Sequence, residues 1–495
     1  MILELLDSAL TALHAWLATP QPTLGLALSR IALGTVLAVD GWLLLRRYDA
    51  WYGPRALSLS ALDAPAPRGS SRLWLRLTVA CGLMLAAGLA TRPAGAVLLL
   101  ARIVMPLRNR AIAYGGDGFA RTVLLLLLAS PCDASLAVDR WLADGSLGLD
   151  AQASPWGGRL LQLEVAALYL TSFVVKLPSA AWRQGTVMID LLRNPNFACR
   201  PRPELLTRPL VGRLMTWGAL AIELGLGPVL LVPSTAAVAV PLAIAFHLSI
   251  ALLIDVHLFS AVMAAALLAC LPAGFLRELS GAGPAPAPPP LDALAILGVL
   301  LALGYVVNAL LGELCAGSQP EPGSLRARLR RLGWIRGWRL FTTSAPTNIE
   351  VELTVVDEHG QTTRWAWLDP DDLLPRGPRP RPLRPDHRFQ RFKFSLLHIP
   401  AARRRLVQRF RAALREAGIT ARAWSIDLLY LDIHSDHLHG GTNLGAQVAA
   451  ASTGRSLDLE AAERLAATVR CPATRTKLLA LPRLAAASSS SSEAS

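Results

Sequence analysis

The chain has 495 residues, of which 53% are hydrophobic and only 17% are charged, and its formal net charge is +14. This balance excludes an ordinary soluble globular protein and indicates a chain that is mostly embedded in a lipid bilayer. The positive charge could indicate a nucleic-acid partner, but the arginines lie in loops between apolar segments, where positive charge normally contacts anionic headgroups. We therefore expect no nucleic-acid binding.

The N-terminal residues 1–20 predict a short interfacial helix. They read MILELLDSALTALHAWLATP, with acidic residues where a cleaved signal peptide would carry basic ones. Pro20 and Pro22 are expected to end this helix, because proline cannot continue the helical hydrogen-bond pattern.

Residues 21–313 predict a membrane domain. Several stretches approach or exceed the roughly 18 to 20 apolar residues that cross a bilayer. These stretches are residues 22–45, 73–90, 159–177, 211–232, 235–256, 258–275 and 291–313, and two shorter ones at 94–106 and 119–132 predict spans surrounded by protein. The expected fold class is an α-helical integral membrane bundle of about eight or nine transmembrane helices, followed by a small β-rich extramembrane domain.

The remaining residues predict three units. Residues 314–340 form a basic amphipathic linker, in which arginines alternate with leucine and tryptophan. Residues 341–485 form the β-rich extramembrane domain, with a hairpin around Gly360, a helix at 399–417 and a strand at WSIDLLYLDIH. The Ala/Ser-rich tail, 486–495, is expected to be disordered.

The predicted spans contain a set of titratable side chains. They are Arg30, Asp40, Arg102, Glu164, Lys176, Glu223, His247 and Asp255. Such residues cost roughly 2.5 to 3.5 kcal/mol each on insertion scales and usually face the interior of a bundle or a water-filled cavity. Each can be explained as an ion pair that holds helices together, or for His247 as a buried histidine with its hydrogen bonds satisfied, so the composition alone does not establish chemistry.

Lys176 is the most informative of these residues. The chain has 49 basic residues but only three lysines, and Lys176 is the single lysine of the apolar two-thirds. An amine among apolar neighbours has a lowered pKa and can act as a general base, whereas a guanidinium cannot lose its proton. The alternative is a helix-end lysine that extends its amine to the membrane interface.

Several segments resemble the vitamin K-dependent γ-carboxylases and the broader group of horizontally transferred transmembrane (HTTM) domain proteins. The run VVKLPSAAWRQG resembles the segment that carries the catalytic lysine of the carboxylases, and FHLSIALLIDVHLFSAVM resembles their histidine-containing span. Weaker likeness is found in SRIALGTVLAVDGW, in LRNRAIAYGGDGFARTVLLLLLASP and, in the β-rich part, in VELTVVDEHGQTTRWAWLDP and SIDLLYLDIH. The resemblance covers about residues 25–435.

The resemblance implies a quinol-dependent enzyme. In that family a lysine deprotonates reduced vitamin K, O2 converts the quinol anion to an epoxide, and the strong base so formed lets a substrate glutamate take up CO2. By this likeness the catalytic residues are Lys176 and His247, and Tyr169 and Trp182 are expected to contact the cofactor, which is reduced vitamin K or menaquinol.

One position departs from the family pattern. The carboxylases place a histidine after an asparagine in the loop before the next helix, whereas here Asn109 is followed by Arg110. We expect both residues at the cofactor-binding site, but arginine cannot shuttle a proton at neutral pH. Quinol oxidation is therefore better supported than carboxylation, and the long C-terminal extension of the carboxylases has no counterpart in the Ala/Ser-rich tail.

No metal site is predicted. The segment LDIHSDHLHG at 431–440 places acidic and histidine side chains on one face of a strand, which could hold a metal. We prefer the interpretation of a solvated strand end that runs into a turn at Gly440 and Gly441.

Two main hypotheses remain open. The first is a multi-pass enzyme of the cell (inner) membrane whose partners are the lipid bilayer, a membrane quinone and a secreted peptide or protein substrate. The second is a non-catalytic membrane protein of the same fold that serves as partner or maturation factor for a secreted peptide. A small-solute transporter is a third hypothesis, but the sequence shows no paired halves or broken helices that would support it.

Overall fold

The structure is a computed structural model. It describes residues 2–54, 56–57, 69–194, 196–199, 204–290, 292, 296–301, 303–304, 347–371, 373–374, 386–396, 399–432 and 475–480. The predicted linker 314–340, the tail 486–495, and the histidine-containing residues 433–440 lie outside these ranges, as does most of the predicted span 291–313.

The first part of the chain is helical. Its helices are α1 (Ile2–Ala18), α2 (Leu24–Arg46), α3 (Tyr48–Trp51), α4 (Ser70–Ala87), α5 (Thr91–Arg108), α6 (Gly115–Leu128), α7 (Val138–Asp144), α8 (Trp156–Lys176), α9 (Ala180–Gln184), α10 (Val187–Arg193), α11 (Pro209–Val229), α12 (Pro233–Leu253), α13 (Phe259–Leu268) and α14 (Ala273–Ser280). Short 3₁₀ helices lie at Arg110–Ile112 and Glu204–Thr207, and β1 (Gln21–Pro22) pairs with β2 (Gln152–Ala153) in an antiparallel bridge.

Within the described ranges, four helices are long and apolar enough to cross a membrane: α2, α8, α11 and α12. A fifth span is counted among the described residues if α13 and α14, which meet at a 74° bend, are taken together. The expected number of eight or nine is not reproduced. The predicted segments 73–90, 94–106 and 119–132 are helical as α4, α5 and α6, but α4 and α5 carry several arginines and α6 has only 14 residues.

Glycines allow α2 and α4 to pack closely. A Cβ added at Gly34 would lie 2.6 Å from the backbone nitrogen of Ala86, and one added at Gly82 would lie 2.8 Å from that of Ala38. Real Cβ atoms do not approach backbone that closely, so only glycine fits at this crossing. The close contact fixes the position of α2, which carries Arg30 and Asp40 into the interior.

The C-terminal part contains a mixed α and β unit. Its strands β3 (Thr347–Asp357), β4 (Thr362–Ala366), β5 (Ala421–Asp432) and β6 (Arg475–Ala480) form one antiparallel sheet in the order β4-β3-β5-β6, and its helices are α15 (His387–Ser395) and α16 (Pro400–Glu416). The hairpin expected around Gly360 is the β3–β4 turn, where Gly360 has a positive φ of 77°. Within the sheet Leu353 lies opposite Trp365 on one side and Ile426 on the other.

One hydrophobic cluster joins the two parts of the molecule. It contains Trp51 and Met105 from the helical part together with Trp367, Phe389 and Phe392 from the C-terminal part, all buried. The ring of Trp367 meets that of Phe389 edge to face at 4.6 Å. Helix α15 is therefore held against the membrane helices by apolar packing as well as by the ion pairs described below.

Candidate functional site

A cavity of about 260 Å³ lies among α8, α11 and α12. Val256 from the loop that precedes α13 and Phe259, the first residue of α13, contribute to its wall. Its lining is predominantly apolar, and its volume is close to the lower limit of about 300 Å³ for small-molecule pockets.

Lys176 lies in this cavity as the last residue of α8. It is buried, with 6% of its surface exposed. Its Nζ donates to a carboxylate oxygen, Oε1, of Glu223 on α11, and lies 4.6 Å from the centre of the Trp182 ring. A carboxylate and an aromatic face both favour the charged form of an amine.

This geometry differs from the isolated, neutral amine that the sequence predicts. The sequence places Glu223 in a span but does not reveal that α8 and α11 bring the two side chains together. Because both partners are buried, removing either side chain would leave the other charged group without its partner.

His247 and Tyr169 form a second polar pair in the same cavity. The Tyr169 hydroxyl and the Nε2 of His247 are 2.9 Å apart. The imidazole meets the rings of Phe246 and Phe259 edge to face, with centroids 5.4 and 5.6 Å away. These aromatic neighbours and the tyrosine hydroxyl fix the orientation of the imidazole within the wall of the cavity.

Two buried atoms of the cavity residues have no hydrogen-bond partner among the described residues. They are Oε2 of Glu223 and Nδ1 of His247. Most buried polar groups in proteins are hydrogen-bonded, so an orphaned pair in one cavity indicates that a ligand or water completes them.

The cavity reaches the outer surface between α11 and α12. Ser249 on α12 lines it and is exposed, and Gly218 on α11 lines it and is partly buried. Neighbouring exposed residues on these helices, such as Trp217 and Leu248, are apolar. If α11 and α12 span the bilayer, a lipid-soluble molecule can reach the cavity from the membrane without passing through water.

Asn109 and Arg110 lie elsewhere. The side chain of Asn109 donates to the carbonyl oxygens of Trp51 and Leu57 at 2.6 and 2.9 Å, and accepts from the backbone N–H of Ala111 at 2.9 Å. These three bonds hold a loop and cap the 3₁₀ turn, while Arg110 is exposed. Neither residue lines the cavity, so their assignment to cofactor binding stays a prediction without support from this geometry.

A separate charged cluster surrounds Asp40 of α2, which is fully buried. Its Oδ2 accepts from Arg102 of α5, and its Oδ1 accepts from Nη2 of Arg388 of α15 at 2.7 Å. Asp117 lies 3.3 Å from Arg102, and Nε2 of His257 lies 3.3 Å from Asp40. Burial opposes the charge on Arg388, but Asp40 outweighs it and raises the pKa of the guanidinium.

One family model matches the chain. It is described as the HTTM domain and covers residues 19–273, a range that contains the whole cavity. No curated protein and no solved structure matches the chain.

Proposed function

Because the chain belongs to the HTTM domain family, we propose that it is an integral membrane enzyme that deprotonates a reduced quinone and oxidises it with O2. The observation that carries the proposal is the buried pair of Lys176 and Glu223 in the wall of an apolar cavity among α8, α11 and α12. The proposed location is the cell inner membrane, where such quinones are dissolved.

The cavity residues fit a naphthoquinol. A quinol combines a flat apolar ring with two hydroxyl groups, and the cavity combines apolar and aromatic walls with two orphaned polar atoms, on Glu223 and His247. Trp182 and Phe259 supply aromatic surface, and Tyr169 orients His247. When bound, reduced vitamin K or menaquinol would supply the reducing electrons, and O2 would be the oxidant.

The protein supplies a proton acceptor in a site with little water. In the resting pair one proton lies between the amine and the carboxylate, so the pair has no net charge. Transfer of that proton to Glu223 frees the Lys176 amine to accept a second proton from the substrate hydroxyl. The pair then carries one positive charge, which stabilises the anion beside it in a medium of low dielectric constant.

Carboxylation of a glutamyl side chain with CO2 is the further step that we propose for this site, and a secreted peptide or protein is its proposed substrate. Arg110 stands where the family resemblance calls for a histidine, and it is exposed. Quinol oxidation is therefore the better supported of the two proposed steps.

The alternative is a non-catalytic HTTM protein that acts as partner or maturation factor for a secreted peptide. The ion pair of Lys176 and Glu223 is compatible with this alternative, because a buried pair can hold α8 against α11 without any catalytic role. On this hypothesis the purified protein binds no quinone.

The test is oxygen uptake by detergent-purified protein supplied with vitamin K hydroquinone, followed by analysis for the epoxide. A Gly218→Phe variant places a ring at the opening of the cavity and should reduce uptake at least about tenfold, equivalent to about 1.4 kcal/mol. Gly225→Phe is the matched control, because Gly225 lies on the same helix, has open space around it and does not line the cavity. Equal uptake by both variants, or no uptake by the unaltered protein, would contradict the proposal.

A further inference from the structure

A second cavity, of about 600 Å³, lies where the first turns of α2, α8, α12 and α14 meet. Small-molecule sites typically have volumes of about 300 to 1,000 Å³, so this cavity is large enough for a ligand. Exposed residues of α12 and α14, such as Ser234 and Gly274, contribute to its lining, and the cavity is therefore open to the surroundings of the protein. It shares no lining residue with the Lys176 cavity.

Two arginines line the second cavity. Arg277 of α14 is partly buried, and its Nε is buried without a hydrogen-bond partner among the described residues. Such a donor has lost its hydration and gained no acceptor, which is unfavourable for a charged group. Arg159 of α8 donates through Nε to the carbonyl oxygen of Trp16 at 3.1 Å and through Nη1 to Gln162 at 2.9 Å. These bonds fix the position of the Arg159 guanidinium at the cavity.

The second cavity has one net positive charge. The charged residues among those that line it are Arg159, Arg277 and Glu278. Glu278 is exposed, whereas both arginines are partly buried. A phosphodiester carries one negative charge, whereas a phosphate monoester carries about 1.5 to 2 at pH 7. The charge of the cavity therefore matches a phosphodiester.

The starts of two helices add backbone donors to the arginines. Helix α12 begins at Pro233 and α14 at Ala273, and both residues line the second cavity. The preceding residues, Val232 and Pro272, supply no side-chain hydrogen bond to the helix start. The first N–H groups of a helix have no acceptor within the helix and favour an anion nearby. They supplement the guanidinium groups as donors to phosphate oxygens.

The second cavity lies at the end of α2 opposite the C-terminal part of the chain. The first turn of α2 lines the cavity, whereas Arg47, directly after its last turn, forms ion pairs with Asp386 at 2.5 Å and Asp369 at 3.5 Å. A helix of 23 residues is about 35 Å long, and the hydrocarbon core of a bilayer is about 30 Å thick. With α2 across the bilayer, the cavity lies at the depth of the lipid headgroups.

The surroundings of the second cavity are typical of a membrane interface. The ring centre of Trp16 lies 4.4 Å from the guanidinium carbon of Arg159. Helix α14 turns by 74° from α13 and carries Phe275 and Leu279, which are 48% and 60% exposed. Tryptophan is enriched at the level of the headgroups, and exposed apolar residues of an interfacial helix contact acyl chains. The same surface thus offers arginines to a headgroup and apolar side chains to the lipid below it.

From these observations we infer that the second cavity binds the phosphodiester headgroup of a membrane phospholipid. Its two guanidinium groups bind the phosphate oxygens, and its apolar residues Leu26, Leu271 and Phe275 contact the apolar part of the lipid. A free phosphate ion would gain nothing from these apolar residues. The bound lipid contacts the first turns of α8 and α12, whose other ends line the Lys176 cavity, and should stabilise the packing of these helices. Binding requires no activity of Lys176.

The test is thermal unfolding of the detergent-purified full chain with three probes. Dioctanoylphosphatidylglycerol has a phosphodiester and acyl chains, dioctanoylglycerol has the chains alone, and sodium phosphate, compared with sodium chloride at equal ionic strength, has the anion alone. We expect a saturable rise in the melting temperature with the phospholipid and none with the other two probes. Equal rises with the phospholipid and dioctanoylglycerol would overturn the inference. A saturable rise with sodium phosphate at the same concentration would assign the site to a free anion and overturn the lipid ligand.

An arginine variant tests whether the phospholipid binds in the second cavity. Arg277→Met removes the guanidinium, so the dissociation constant of dioctanoylphosphatidylglycerol, obtained from the concentration dependence of the melting temperature, should rise about tenfold. Arg76→Met is the matched control, because Arg76 is exposed on α4 and does not line the cavity. Its dissociation constant should equal that of the unaltered protein. An unchanged constant in Arg277→Met, or an equal rise in both variants, would overturn the inference.

Discussion

Lys176 shows how far one residue can be interpreted from sequence. Its isolation among arginines and its apolar surroundings single it out, and the structure brings it together with Tyr169, Trp182 and His247 in one cavity. The sequence does not reveal that Glu223 is its partner, because the two are 47 positions apart and only the packing of α8 on α11 joins them. Asn109 contrasts with Lys176, since its three hydrogen bonds, two of them to the distant carbonyls of Trp51 and Leu57, account for it as a loop residue.

The pairing of Lys176 with Glu223 predicts a non-additive effect on stability. Lys176→Met alone leaves a buried carboxylate without its partner and should destabilise the fold by about 3 to 5 kcal/mol. In the double variant Lys176→Met and Glu223→Met, two apolar side chains replace the pair, and stability should return to near that of the unaltered protein. The melting temperatures of the single and double variants are measured by thermal unfolding in detergent, with fluorescence as the signal. Equal melting temperatures for the single variant and the unaltered protein would show that the pair contributes nothing.

At the scale of elements, the sequence predicts what depends on local pattern. The hairpin at Gly360, the helix at 399–417 and the strand after it are present as β3–β4, α16 and β5. The sequence does not reveal the role of α15, which is to pair with the helical part of the molecule. It is short, and its Arg388 becomes meaningful only when Asp40, 348 positions earlier, is seen to accept from it.

Helix α15 also carries a pH-dependent contribution to stability. Burial first, and then nearby His257 and Arg391, lower the pKa of His387 to about 4, below the value of about 6.5 expected in the unfolded chain. The unfolded state therefore binds more protons between pH 6.5 and 4. The contribution of His387 to the free energy of unfolding is therefore complete above about pH 6.5. It decreases as the pH falls toward 4, by up to about 3 kcal/mol in total.

Melting temperatures between pH 4 and 7 test this contribution. His387→Asn should change the dependence of the melting temperature on pH. The decrease in melting temperature between pH 7 and pH 4 should be smaller in this variant than in the unaltered protein. His359→Asn, in the exposed β3–β4 turn, is the control and should leave the slope unchanged. Parallel curves for His387→Asn and the unaltered protein would show that this histidine does not couple protonation to folding.

At the scale of the whole molecule, composition predicts a membrane protein, and the HTTM match and the apolar helices support it. The number of spans is predicted less well. Counting apolar stretches gives about eight or nine, whereas four or five helices qualify in the part of the chain that the structure describes. The difference arises in part because α4 carries two arginines, α5 carries three and α6 has only 14 residues. An apolar run records burial, but it does not distinguish burial in protein from burial in lipid.

The most direct test of the central claim compares two lysine-to-arginine variants. In Lys176→Arg the guanidinium can keep the ion pair with Glu223 but cannot lose its proton. Lys393→Arg is the control, because Lys393 is also buried but donates to Asn196 instead of Glu223. With vitamin K hydroquinone and air, the account predicts that oxygen uptake falls at least about tenfold in Lys176→Arg and stays at the level of the unaltered protein in Lys393→Arg. Full oxygen uptake by Lys176→Arg would contradict the claim that the amine is the base.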